Sequence, residues 1–552
     1  MDSPEEFIRK HAVANRLKFG KADSKAVFGQ VLAAMPEARK NVKGIMEQVN
    51  KIVSEVNSMS DAALKSARVE EKKGHEERIQ ELQLKEVPKP LVMRFAPNPN
   101  GPATIGSARG MVVNSVLAKK YGGKFILRFD DTDPRTKRPM LEAYNHYIED
   151  CKWLDAVPDE VYIASDRIEK YYEHAEKLIR LGGAYVCFCS QEKFKELKDN
   201  AKACPDRDRN PDQNLVLWKE MLAGKFKEGE AVLRIKTDIE NKDPAMRDWV
   251  GFRIIIEDHP RIGRRYIVWS MLDFESAIED HLLGVTLIIR GIDLMDSTGR
   301  QKYIYDYFNW TYPKTLHWGR VRLEEFGKFS TSMIKKAIAE GQFSGWDDPR
   351  LPTLMAVRRR GIQPETIRKT MINLGLGEND VSLSMETIFA ENRKILDPKV
   401  NRYFFVADPI KLTIKGAPHM DVKVPLHPSF KDRGVRESKF TGEIFISRED
   451  SKALMIGEVI RFMNLFNAKI TKTGEYFEAE YVAGKILDVK KLSWVSDHVD
   501  AELVMPEEVI KGICEKSCLN TKVGEMVQLE RVGFARLNKK DENKLVFYFG
   551  HR

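Results

Sequence analysis

Apolar side chains recur every three or four positions in VFGQVLAAMPEARKNVKGIMEQVNKIVSEV, residues 27–56, the spacing that places them on one face of a helix. Residues 1–88 are therefore predicted to form a helical unit. It gives way to the charged run KSARVEEKKGHEERIQELQLKEVPKP, a linker or a solvated helix that Pro88 and Pro90 bring to an end. The pattern then changes. LVMRF is a short apolar run of the kind that forms a buried parallel strand, a turn rich in Pro, Asn and Gly follows, ARGMVVNSVLAKKYGG reads as a helix closed by two glycines, and KFILRF reads as a second strand. Strand, turn, helix, strand is a βαβ unit, and the loop after its first strand opens at the carboxyl edge where such sheets bind ligands. Farther on, VWSMLDFESAIEDHLL reads as a helix and GVTLIIRG as another strand.

Composition narrows the class. At 552 residues the chain exceeds one ordinary core and is expected to hold three to five units at roughly 150 residues each. An apolar fraction of 42% beside 31% charged residues is that of a globular protein, and no run of about 18 apolar residues is present to span a bilayer. The start of the chain lacks the apolar core and cleavage site of a secretory signal, and six cysteines are too few for a disulfide scaffold, so the expected location is the cytoplasm. A net charge of +9 suits a protein that docks a polyanion on one face, without establishing it.

Candidate chemistry gathers at the predicted strand ends. In RFAPNPNGPATIGSARG, backbone N–H groups at the helix start are expected to face a phosphate, and Gly101 and Gly106 allow a ligand close to the chain; the alternative is a Pro/Gly turn with no ligand. LRFDDTDP crowds Asp130, Asp131 and Asp133 at the next strand end. Asp130 is the candidate acceptor for a substrate ammonium group, whereas Asp133, before Pro134, reads as a turn or helix cap. Arg290 closes TLIIRG, where a guanidinium suits bidentate capture of a carboxylate. In GKFSTSMIKKAIAEG, hydroxyls, helix-start amides, Lys335 and Lys336 are apt for a second clamp on phosphate; STS alone is also a good N-cap.

Together RFAPNPNGPATIG, LRFDDTDP, DFESAIEDHLLGVTLIIRG, KFSTSMIKK and RRRGIQPETIR, in that order, resemble the catalytic core of a class I aminoacyl-tRNA synthetase of the glutamyl/glutaminyl group. YFFVADPIKLTIKG, KFTGEIFISRED and the closing GEMVQLERVGFARL…LVFYFGHR resemble the β-barrel anticodon-binding region of glutaminyl enzymes and of archaeal- or eukaryotic-type glutamyl enzymes. The resemblance implies a multidomain chain: a helical N-terminal unit over 1–88, an α/β Rossmann-type catalytic domain over 89–330 with an insertion for the tRNA acceptor end at about 184–262, a helical stem-contact region over 331–399, and all-β anticodon-binding barrels over 400–552.

The same resemblance implies the site. Pro97, Asn98, Pro99, Asn100, Gly101, Ile105 and Gly106 would hold Mg·ATP, Arg94 and Arg290 would face the substrate side chain, and Asp130 would hold its α-ammonium. A buried arginine at 290 is matched by a carboxylate and left unpaired by an amide, which favours glutamate over glutamine. The two class signatures, commonly HIGH and KMSKS, read TIGS at 104–107 and KFSTS at 328–332. Thr104 and Ser107 thus stand in place of imidazoles, and Thr331 in place of a lysine, among the expected catalytic set of Thr104, Ser107, Lys328, Ser330, Thr331, Ser332 and Lys335. Lys328, Lys335 or Lys336 is expected to supply the missing cation. Two alternatives stand beside this reading: a glutaminyl enzyme, and a non-catalytic tRNA-binding relative, which would have no need of Arg94, Asp130 and Arg290.

Cys187, Cys189 and Cys204 raise a zinc site with Asp206 or Asp208 as fourth ligand, against an apolar cysteine cluster. Arg358, Arg359 and Arg360 are expected on the tRNA backbone, with Arg402 and the basic loop of Lys431, Arg433 and Arg436 near the anticodon. The implied partners are glutamate and its tRNA, with the glutamine tRNA and a correcting amidotransferase left open.

Overall fold

The computed structural model of the protein describes residues 4–34, 42–60, 63–64, 81–326, 331–484 and 487–552. It divides into a unit of Met1–Gln80 and a unit of Glu81–Arg552. In the first, helices α1 (Pro4–Phe19), α2 (Ser24–Ala34) and α3 (Val42–Ser58) close over Ile8, Ala12, Val27, Val31, Val49, Ile52 and Val56, the face set by the helical spacing. Asn57 fastens the turn between α1 and α2, with its Oδ1 accepting from Ala22 N at 2.8 Å and its Nδ2 donating to Ala22 O at 3.0 Å. The division falls before residue 88: Leu82, Leu84 and Val87 already pack with Leu91 and Met93 of the second unit.

The second unit is organised around a five-stranded, all-parallel sheet of β1 (Val92–Phe95), β2 (Lys124–Phe129), β3 (Glu160–Ile163), β8 (Leu287–Gly291) and β9 (Lys314–Trp318), in the order β3-β2-β1-β8-β9. The order reverses between β1 and β8, which is where sheets of this kind bind ligands. Helix α4 (Ile105–Tyr121) follows β1 and ends at Gly122, left-handed at φ 65°. It is followed by α5 (Leu141–Trp153), α6 (Ile168–Arg180), α7 (Gln191–Asp199), α8 (Pro211–Leu222), α9 (Leu272–Leu282) and α10 (Met295–Tyr307).

Between β3 and β8 lies a separate antiparallel sheet of β4 (Ala184–Cys187), β5 (Val232–Ile235), β6 (Val250–Ile254) and β7 (Val268–Ser270). It reaches beyond residue 262. Val268-Trp269-Ser270, read from sequence as the start of a helix, instead pairs with β6, and α9 begins only at Leu272. A helical segment follows, with α11 (Thr331–Ala339), α12 (Leu354–Arg359), α13 (Pro364–Asn373) and α14 (Met385–Leu396). Residues from Asn401 on are almost wholly β, in a two-stranded hairpin of Met420–Pro425 and Val435–Phe440 and in a seven-stranded and a six-stranded sheet with their own cores, Tyr403–Leu503–Phe547 in one and Phe404–Ile446–Trp494 in the other. Among the described residues no helix is long and apolar enough to cross a membrane.

Buried polar contacts bolt these parts together. Arg109 of α4 donates to Gly319 O at 2.9 Å and Gly375 O at 2.8 Å beneath the Trp318 ring, and burial pushes its pKa down to about 10. Arg360 donates to Gly550 O at 2.6 Å and Phe549 O at 3.3 Å, and His551 Nε2 accepts from Asn392 Nδ2 at 2.9 Å. Burial lowers the His551 pKa from 6.5 to about 4, so the unfolded chain binds the extra proton between those values. Its contribution is complete above about pH 6.5 and is lost as pH falls toward 4. His551→Gln is expected to flatten this part of the acid sensitivity, read as a smaller fall in the denaturant midpoint from pH 7 to pH 5 than the unaltered chain shows.

Candidate active site

A cavity of about 400 Å³ opens at the carboxyl ends of β1, β2, β8 and β9, lined in part by Arg94, Asp130, Arg290, Gly106, Ser107 and Trp318. Its floor is a chain of alternating charge. Arg94 Nε and Nη2 meet Asp280 at 3.1 and 3.3 Å, Arg128 Nη1 meets the same carboxylate at 2.7 Å, and Arg128 Nε and Nη2 grip Asp130 at 2.6 and 3.2 Å. All four side chains are buried. Burial alone would raise the Asp280 pKa, but Arg94 and Arg128 outweigh it and hold the carboxyl below its ordinary range. Arg94 therefore reaches the cavity already paired, with its Nη1 without a protein acceptor among the described residues, and each Asp130 oxygen keeps a lone pair beyond its bond to Arg128. Glu275, next to this floor and accepting from Thr132, is pushed well up from the usual carboxylate range by burial and by Asp130.

Arg290 differs from the other two arginines. At the end of β8 it is 6% exposed and is bonded only to neutral groups: Thr298 Oγ1 at 2.6 Å, Tyr312 OH at 3.0 Å, and Gln301 Oε1 at 3.2 Å from both Nη1 and Nη2. No described carboxylate forms an ion pair with it, and its buried Nε has no partner. Burial lowers its pKa, and a cation held this way is costly until an anion arrives.

The residues expected on the nucleotide come from two segments far apart in sequence. Gly101 lies so close to Thr331 that a Cβ at 101 would stand 2.3 Å from Thr331 Cγ2, which brings the PNPNG turn against the start of α11. Asn98 Nδ2 donates to Asp130 O at 2.8 Å, and Pro97 O and Pro99 O accept from Asp130 N and Met140 N at 3.0 and 2.8 Å. The expected row of phosphate-facing amides is mostly occupied. Ile105 N donates to Pro352 O at 2.9 Å and Ser107 N to Thr104 Oγ1 at 3.4 Å, leaving Gly106 N, on an exposed residue, without an acceptor among the described residues. Thr104 and Ser107 cap each other across the first turn, with Ser107 Oγ accepting from Thr104 N at 3.3 Å and the two hydroxyls 3.3 Å apart. One hydroxyl of the pair donates to the other, so one O–H is left for a ligand. Lys328 and Ser330 lie outside the described residues; Ser332, Lys335 and Lys336 are exposed on the first turns of α11, with Lys336 3.7 Å from Glu340.

Asp131 and Asp133 are structural. Asp131 is fully buried and accepts from Ser165 N and Oγ, both at 2.7 Å, and from Tyr144 OH at 2.6 Å; Asp133 accepts from Arg135 N and Thr136 N at 3.0 and 2.8 Å, closing a turn well before α5 starts. In the inserted sheet Cys204 Sγ lies 3.4 Å from Cys187 Sγ and 3.3 Å from Cys189 Sγ, and Asp206 completes a group of ligand atoms within 4.8 Å of one another. Asp208 is outside it, paired with Lys236 at 3.4 Å.

The basic residues expected on tRNA divide. Arg358 and Arg359 are partly exposed, 4.0 Å from Glu149 and 2.8 Å from Asp347. Arg360, expected on the tRNA backbone, is instead buried, with its guanidinium on the carbonyls of Phe549 and Gly550. Arg436 is likewise buried, against Glu515 at 2.8 Å and Glu530 at 3.2 Å. Arg402, bonded to Asp397 at 2.9 Å, and Arg433, bonded to Asn401 at 2.7 Å, are part-buried, and Arg433 lines a cavity of about 820 Å³ beside the seven-stranded sheet. Sequence reasoning missed Arg128, Asp280, Gln301 and Tyr312. The one available signal was Arg128, a charge inside the apolar run FILRF.

Family models agree with this geometry. Residues 90–398 match the catalytic domain of tRNA synthetases class I (E and Q), and residues 400–483 and 486–538 match two anti-codon binding domains of the same group. The chain is similar to glutamate–tRNA ligases of Methanosarcina mazei, 51% identical over 100% of both chains, and of Archaeoglobus fulgidus, 48% identical over 99% of both. It is also similar to that of Pyrococcus abyssi, 45% identical over 99% of this chain and 100% of the relative. The catalytic match spans the parallel sheet and its cavity, the anti-codon binding matches span the all-β sheets, and the chain belongs to the class I tRNA synthetases of the E and Q group.

Proposed function

We propose that this chain is a glutamate–tRNA ligase acting in the cytoplasm, where ATP, glutamate and tRNA meet. The observation that carries the choice of amino acid is the buried Arg290 guanidinium with no carboxylate of its own. A γ-carboxylate supplies the missing charge; a carboxamide would leave it uncompensated. Asp130 takes the α-ammonium with its remaining lone pairs, and Arg94 Nη1 adds a donor to the side-chain carboxylate that Arg290 faces. An α-carboxylate oxygen of glutamate then bonds to the α-phosphorus of ATP as pyrophosphate leaves, and a ribose hydroxyl of the terminal tRNA adenosine takes the glutamyl group as AMP leaves.

ATP, as its magnesium complex, rests on the turn of Pro97 to Gly101 and on Ile105 and Gly106, where the Gly106 amide and one hydroxyl of Thr104 or Ser107 are free to donate. Thr331 and Ser332 face the same nucleotide from the second segment. Neither hydroxyl pair brings charge, so a lysine of the KFSTSMIKK stretch neutralises the phosphates in the transition state. Arg358 and Arg359 meet the tRNA backbone, and Arg402 and Arg433 the anticodon end. In the inserted sheet Cys187, Cys189, Cys204 and Asp206 would hold a structural zinc: three thiolates and one carboxylate, mutually within 4.8 Å, supply the four ligands a closed site needs.

Arg290→Ala is expected to lower kcat/KM for glutamate in ATP–pyrophosphate exchange, run with tRNA, by about 100-fold or more while KM for ATP changes little; equal losses for both substrates would contradict the assignment. The triple change Lys328→Ala, Lys335→Ala, Lys336→Ala is expected to slow exchange at saturating glutamate by about 10-fold or more, and an unchanged rate would exclude this stretch as the cation source. Metal analysis should find one zinc per chain, lost with Cys187→Ser together with a lower melting temperature; a metal-free chain of unaltered stability would leave an apolar cysteine cluster.

A further inference from the structure

The groups that hold Arg290 share a property. Gln301 is buried, its Oε1 accepts from both Arg290 terminal nitrogens at 3.2 Å and from Tyr312 OH at 2.7 Å, and its Nε2 donates to Ser276 Oγ at 2.5 Å. Ser276 Oγ in turn donates to Leu272 O at 2.7 Å. The amide cannot be flipped: an NH2 group in place of Oε1 would meet three donors. Thr298 Oγ1, which accepts from Arg290 at 2.6 Å, lies within hydrogen-bond distance of His317 Nε2, at 3.1 Å. Every acceptor on Arg290 is thus a neutral group, whereas Arg94 and Arg128, in the same floor, each carry a carboxylate.

Gln301 and a glutamate at the same position would have the same shape. They differ by one charge, at a point touching both Arg290 nitrogens. We propose that Gln301 is a specificity-determining residue: its neutral amide aims the Arg290 guanidinium into the cavity while leaving its charge unspent, so that the incoming side chain must be the anion. An acid at 301 would pair with Arg290 internally, and the cavity would then have no preference for a carboxylate over a carboxamide and would repel the former. Gln301 also lines the cavity together with Ser276 and Ser297, so the effect acts directly on the bound side chain.

The inference rests on the reading that glutamate is the substrate. It is tested by ATP–pyrophosphate exchange with tRNA, using glutamate and glutamine separately, on the unaltered chain, Gln301→Glu and Gln301→Met. The unaltered chain must prefer glutamate; if it does not, the functional reading fails, independently of Gln301. Gln301→Glu is expected to reduce the glutamate-over-glutamine ratio of kcat/KM by about 100-fold or more with KM for ATP unchanged, whereas Gln301→Met, neutral and of similar length, weakens glutamate use but keeps the ratio within about 10-fold. A ratio unchanged in Gln301→Glu, or reduced equally by Glu and Met, overturns the proposal. Gln301→Asp, smaller and also acidic, replaces the Glu variant if that chain does not fold; the same fall in the ratio is expected, and its absence overturns the proposal equally.

Discussion

The site depends on a deliberate imbalance of buried charge. Three guanidinium groups, of Arg94, Arg128 and Arg290, stand beneath or beside one cavity, and two of them are paired through Asp280 and Asp130. The third is held only by an amide and two hydroxyls. In a low-dielectric setting the paired groups are locked and the unpaired one is strained by its missing partner, so ligand charge has its largest effect there. The paired chain also fixes the strand ends against α9, which supplies Asp280, and so gives the unpaired arginine a rigid frame.

The nucleotide side follows a different rule. Its donors among the described residues include one helix-start amide, the hydroxyls of a mutual cap and of Thr331 and Ser332, and the exposed lysines of α11. What the fold contributes is proximity, because only a glycine at 101 lets the first turn meet Thr331. The Pro352 carbonyl that occupies the Ile105 amide also ties the start of α4 to the segment before α12. Segments that would contact nucleotide and segments that would contact the tRNA stem are thereby joined, and Arg109 repeats that junction at Gly319 and Gly375.

Much of this was legible in the sequence, for physical reasons that particular residues show. The apolar runs around Met93 and Ile126 and the Gly122–Gly123 stop define β1, α4 and β2 because period and helix-stop chemistry are local. Arg290 could be placed at a strand's end for the same reason. Its lack of a partner could not, since that depends on which acids α9 and β2 bring near it. Arg360 and Arg436 show the converse: basic residues in charged stretches are expected on tRNA, yet backbone carbonyls of the last strand and the Glu515 carboxylate bury them. The occupied amides of α4 were hidden too, because the acceptor for Ile105 comes from residue 352. Charge is visible in a sequence; its compensation is a tertiary property.

The sharpest test of the unpaired arginine as the selector of substrate charge is a crystal structure of the chain with glutamate bound. A γ-carboxylate oxygen is expected about 3 Å from Arg290 nitrogens, with Arg94 still on Asp280 and Thr298, Gln301 and Tyr312 still in place. A γ-carboxylate bound elsewhere, or an Arg290 swung onto a protein acid in that complex, would contradict it.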